Sequence, residues 1–131
     1  MDCPACASTM VAFPVSAALG ELLPDDRPGA AICPHCLTVV PEDDPPPDIP
    51  DFTTVSDAFP RESDRAVLLA VVVALLDSPA TYRRELETVV DRAESRGVDV
   101  LLFLDRLGRD PDLSPHFDVD RRGRQLEQLL T

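Results

Sequence analysis

Lysine and tryptophan are absent from this chain, tyrosine occurs once and histidine twice. All twelve bases are arginines and face 24 carboxylates, so the formal charge is −12. Asp outnumbers Glu 17 to 7, which crowds short carboxylates onto the surface, where they repel one another. Molar salt shortens the screening length to about 3 Å and relieves that repulsion, whereas a lysine stem would add apolar area that salt makes less soluble. The composition therefore reads as that of a salt-in halophile, with Lys-to-Arg drift in a GC-rich genome as the alternative. No apolar run is long: the longest, residues 66–76, has eleven residues against the ~20 that cross a bilayer. The opening Met1-Asp2-Cys3-Pro4 has neither a basic nor an apolar leader segment, so a cytoplasmic protein is expected.

Catalytic signatures are missing as well. No Gly-rich phosphate loop, G-x-S-x-G or H-E-x-x-H run occurs, and the expectation is a protein that is not an enzyme. A length of 131 residues rules out a large multidomain enzyme and leaves room for one ordinary domain or two small ones. Charge is unevenly spread: residues 1–42 carry a net −4, 43–60 a net −5 and 61–131 a net −3. The cysteine-rich end is thus acidic, which makes nucleic acid an unfavoured partner without excluding it at high salt.

What is present is a pattern of four cysteines, Cys3-Pro4-Ala5-Cys6 and Cys33-Pro34-His35-Cys36. Each C-x-x-C turn brings two sulfurs to one side of a tight loop, and two such pairs supply the four soft ligands that tetrahedral Zn2+ takes. In a reducing compartment such pairs are metal ligands more often than disulfides. A unit of about 40 residues buries too little surface to fold alone, so one structural zinc would provide stabilisation. These knuckles, each followed by a strand, make residues 1–41 resemble the zinc-ribbon family. The resemblance implies the ligand role for Cys3, Cys6, Cys33 and Cys36. It departs from the family where many knuckles have glycine after the second cysteine, since Ala7 and Leu37 stand there. The whole chain looks like an uncharacterised small haloarchaeal zinc-ribbon family, a likeness that implies no activity.

The expected architecture is α+β: a small β-rich ribbon over 1–42, an acidic Pro-rich linker over 43–59 that isolates the two ends, and a helical bundle of about four helices over 60–131. In the first unit Val11, Phe13 and Val15 share one strand face, Pro14 calls for an edge position, and Ser16 can cap a helical turn. Helices are expected over 61–77, over 79–96 behind Ser78 and over 100–107 behind Asp99, with a last one behind Asp120. By composition 98–104 could also be a buried strand, but no second strand is at hand to pair with it. Residues 66–76 are apolar on every face, so the other helices must enclose them, or a second copy could cover a face around Val67, Val71 and Leu75 to give a homodimer.

His35 and His116 read as solvated side chains, and Arg121, Arg122 and Arg124 as an exposed helix start. The function these features favour is a zinc-binding adaptor that meets a protein partner. A C-x-x-C redox or rubredoxin-like electron-transfer protein is the alternative, weakened by a single aromatic residue in 1–42. A nucleic-acid-associated ribbon is third. Because carboxylate repulsion falls with screening, the midpoint of chemical unfolding should climb steeply between dilute buffer and molar KCl; a flat profile would contradict the salt-adapted reading.

Overall fold

The computed structural model describes residues 2–130. Strands β1 (Val11–Pro14), β2 (Gly29–Ile32) and β3 (Val39–Glu42) form an antiparallel sheet in the order β1-β2-β3. Phe13 lies opposite Ala30, and Ala30 opposite Pro41. Pro14 and Pro41 both stand on edge strands, where a missing N–H is tolerated. Between β1 and β2 a short helix α1 (Ala17–Gly20) begins at Ser16, whose Oγ accepts from the Leu19 N–H at 3.3 Å. Gly29 opens β2 because nothing larger fits: a Cβ there would come within 2.5 Å of Pro45 and 2.7 Å of the Phe13 carbonyl oxygen.

Four further helices follow: α2 (Ser63–Leu75), α3 (Arg83–Ser95), α4 (Val100–Gly108) and α5 (Val119–Leu130). The fold class is α+β, as expected. Within 98–104, residues 100–104 are helical rather than strand, and Asp99 caps the helix through its carboxylate, which accepts from the Leu102 N–H at 3.0 Å. Two starts lie elsewhere than expected. Helix α3 begins at Arg83 rather than at Pro79, because 77–82 are spent in turns that reverse the chain after α2, with the buried Pro79 among them. Helix α5 is capped by Asp118, whose Oδ1 accepts from the Arg121 N–H at 3.1 Å, and Asp120 falls in its first turn, where a negative charge faces the positive end of the helix dipole.

Helix α2 is the centre of the bundle. From Ala66 to Val73 every residue is buried, as are Leu75 and Leu76. Helices α3 and α4 turn one stripe each towards the same core, Leu86, Val89, Val90 and Ala93 from the first and Val100, Phe103, Leu104 and Leu107 from the second. Val67, Val71 and Leu75, the face considered for a second copy, are covered within the chain at 4%, 0% and 0% exposure. The rest of the chain, α3 and the sheet included, therefore covers α2, and this face is closed.

Composition places a spacer over 43–59, but only its first part has that character. Residues 43–50 are half-buried or exposed and lack regular structure, except that Ile49 packs on the core and Pro45 lies against Gly29. The second part makes a 3-10 turn, Phe52–Thr54, capped by Asp51, whose Oδ1 accepts from the Thr53 N–H at 3.0 Å. It buries Phe52, Val55 and Phe59. Phe52 stands edge-on to Phe13 of β1 at 5.1 Å and tilted against Phe59 at 5.3 Å, and Phe59 stands edge-on to Phe103 of α4 at 4.9 Å. Sheet and helices thus share one apolar core. Acidic and proline residues mask this in the sequence, because three apolar anchors among seventeen residues show neither helical nor strand periodicity. Phe52→Ala should consequently cost about 3–5 kcal/mol and leave a single unfolding transition seen equally by helical circular dichroism and cysteine reactivity; a silent substitution would mean that the two ends do not share this core.

Candidate metal centre

The sheet presents two faces. Phe13, Ala30 and Ile32 point into the shared core, while Ala31 on the opposite face packs with Met10, Cys3, Cys33 and Cys36. The second cysteine pair leaves directly from the end of β2, and the first precedes β1, so pairing of β1 with β2 carries both turns to the same end of the sheet.

The two turns are built alike. The Cys3 N–H donates to the Ser8 carbonyl at 2.8 Å and the Ala7 N–H to the Cys3 carbonyl at 2.8 Å; the Cys33 N–H donates to the Thr38 carbonyl at 2.9 Å and the Leu37 N–H to the Cys33 carbonyl at 3.1 Å. In each turn the N–H two residues beyond the first cysteine points at its sulfur, from Ala5 to Cys3 and from His35 to Cys33, both at 3.4 Å. Ala7 and Leu37, standing where glycine is common, adopt the left-handed conformation with φ of +66° and +65°. The turn geometry is therefore kept without glycine, at a cost of about 1–2 kcal/mol per position.

All four sulfurs lie within 4.8 Å of one another. Across the turns, Cys3 Sγ is 3.6 Å from Cys36 Sγ and Cys6 Sγ is 3.4 Å from Cys33 Sγ. Bonds of about 2.3 Å in a tetrahedron set the sulfurs about 3.8 Å apart, and the two cross-turn pairs lie near that spacing. Cys3, Cys33 and Cys36 are buried, and Cys6 is exposed. The four sequence-assigned ligands are thus brought together, and they could hold a metal ion.

Two hydroxyls complete the arrangement. Ser8 Oγ lies 3.4 Å from Cys6 Sγ and Thr38 Oγ1 lies 3.0 Å from Cys36 Sγ. Hydrogen bonding with the Ser8 side chain, and then with the Ser8 backbone, holds the Cys6 thiol down to about 6. Burial raises Cys3, but the hydrogen bonds with the Ala5 and Cys6 backbone and with the Cys36 and Cys33 sulfurs together outweigh it, and the net direction is down. Burial pushes Cys33 up to about 12, so without an ion this thiol keeps its proton, which a metal must displace on binding. These hydroxyls were legible in principle: C-P-x-C-x-[Ser/Thr] occurs at both 3–8 and 33–38, a short internal repeat that a search for long periods passes over.

One more contact reaches the cage from far along the chain. The Ser114 N–H donates to the His35 carbonyl at 2.7 Å and the His116 N–H to the Cys36 carbonyl at 2.9 Å, which lays the loop before α5 across the second turn. The side chains of His35 and His116 are themselves exposed. In the basic cluster Arg121 and Arg124 are exposed, and Arg122 Nη1 donates to Gln125 Oε1 at 3.0 Å.

Among the comparisons with known proteins, a family model described as "Family of unknown function (DUF6276)" matches residues 2–130. No curated protein and no solved structure matches the chain significantly. At the turns themselves, Ala7→Gly should stabilise the protein by about 1 kcal/mol by relieving the left-handed strain. Leu37→Gly should instead cost about 2 kcal/mol, since it relieves the same strain but empties a fully buried site. Urea titrations that moved in the same direction for both variants would contradict this account.

Proposed function

Since the chain belongs to this family of unknown function, no activity passes to it by membership, and from its own residues we propose a non-enzymatic zinc-binding adaptor with the metal in a structural role. The observation that carries the reading is the cage: four sulfurs from two matched turns, all within 4.8 Å. Four cysteines fill a tetrahedral shell, leaving no open position at which a zinc ion could activate water or substrate. Zinc suits the site better than iron in a rubredoxin-like centre, because the residues packed around the cysteines are Met10, Ala12, Ala31 and Val40, with no aromatic among them. The adaptor half of the proposal draws support from α4, whose outer face exposes Leu101 and Leu102 at 36% and 46%. Such residues fit a protein partner better than they fit water. The surplus of carboxylates supports a protein that works at high salt.

The redox alternative keeps one specific observation, the exposed Cys6 with its lowered thiol, since thiolate character and access make a cysteine reactive. The two readings separate on metal content. Protein purified in molar KCl without added metal should hold about one zinc per chain, colourless and lost in Cys33→Ser. A red iron chromophore, or metal-free protein whose cysteines cycle reversibly between thiol and disulfide, would replace the adaptor reading with the electron-transfer one.

A further inference from the structure

The loop between α4 and α5 lies 79 to 80 positions along the chain from the residues of the cysteine turn that it meets, and it is hydrogen-bonded to that turn through backbone groups. Ser114 and His116 donate their N–H groups to the carbonyls of His35 and Cys36, at 2.7 Å and 2.9 Å. One of those carbonyls belongs to a cage cysteine and the other to the residue just before it. One end of the loop is tied to the segment that precedes α2, and the rest is anchored in the shared core. Asp110 accepts from the Ser56 hydroxyl at 2.6 Å, Ser56 being a buried polar residue, and its other oxygen accepts from the Asp112 N–H at 2.9 Å. Leu113 is buried in the shared core, Phe117 packs against it, and Val119 opens α5 from within it.

We propose that this loop is a strap through which occupancy of the cysteine cage is coupled to the seating of α5. The proposal rests on the cage holding a metal. A bound ion fixes the positions of Cys33 and Cys36 and with them the direction of the two carbonyls; without an ion only packing and turn hydrogen bonds hold that direction. When the carbonyls lose their aim, the N–H groups of 114 and 116 exchange their partners for water, and the loop is free to lift Phe117 and the start of α5. Linkage makes the effect reciprocal: whatever factor the metal contributes to seating the strap, the seated strap contributes to holding the metal. A typical net hydrogen bond corresponds to roughly two- to tenfold in that factor.

Hydrogen exchange on the full-length protein, with zinc alone as the probe, tests this. Zinc-loaded protein should protect the amides of 112–118, and stripping the ion with a chelator should raise their exchange while leaving 67–73 in α2 unchanged. Unchanged exchange at 112–118 in protein shown to have bound and then lost zinc would overturn the strap and leave the zinc reading intact. A chain that takes up no zinc would overturn both, and uniform loss of protection that includes 67–73 would overturn a coupling specific to the loop. Reciprocity gives a second arm that needs no stripping. His116→Pro removes the N–H that Cys36 uses, whereas His116→Ala keeps it. In equilibrium competition with a chromophoric chelator the proline variant should bind zinc roughly two- to tenfold more weakly than wild type and the alanine variant equally well; equal affinity in all three would also overturn the proposal.

Discussion

Four phenylalanines in series hold the two ends of this chain together. Phe13 reaches from the sheet to Phe52, Phe52 to Phe59, and Phe59 to Phe103 in the bundle, with centroids 4.9 to 5.3 Å apart. Such pairs contribute about 0.5–1.5 kcal/mol each beyond the area they bury. Their greater effect is positional. By drawing 52–59 into the core they set the sheet against α2, and by setting the sheet they fix where both cysteine turns emerge.

This arrangement alters what a metal in the cage would have to do. A three-stranded sheet of four-residue strands is marginal by itself, because too little of its surface is removed from water. Here β2 is buried along its whole length, with Ala30 and Ile32 against the bundle and Ala31 against the cysteine cluster. The bundle secures one face, and the cage has only the other to organise. The strained conformations of Ala7 and Leu37 are tolerable in that setting, since Leu37 sets its buried side chain in the shared core against the cost of its backbone.

Much of this was legible in the residues, and what was not has physical causes. The cysteines announce their cage because thiolate pairs at this spacing have few other uses. Helix α2 announces itself because eleven apolar residues must be buried somewhere. Asp99 as a cap and Pro14 on an edge strand follow from local backbone chemistry, and local chemistry is what a sequence states most directly. The anchors Phe52 and Phe59 were hidden because isolated aromatics in an acidic, proline-rich stretch leave no period to detect. The start of α3 was misplaced because Ser78-Pro79 satisfies the local rules for a helix start, while the reversal from α2 to α3 is a tertiary demand. The contact of 114–116 with the cysteine turn could not be read at all, since backbone donors carry no residue signature.

The uneven exposure of the cage sets a direction for traffic. Three sulfurs are walled in by Met10, Ala31 and the covered second turn, and Cys6 alone meets solvent. If the cage holds an ion, an incoming chelator or competing thiol meets the exposed Cys6 before the three buried cysteines. The residue that stands beside that exposed sulfur, Ser8 with its Oγ 3.4 Å from Cys6 Sγ, lies outside the set of four cysteines altogether.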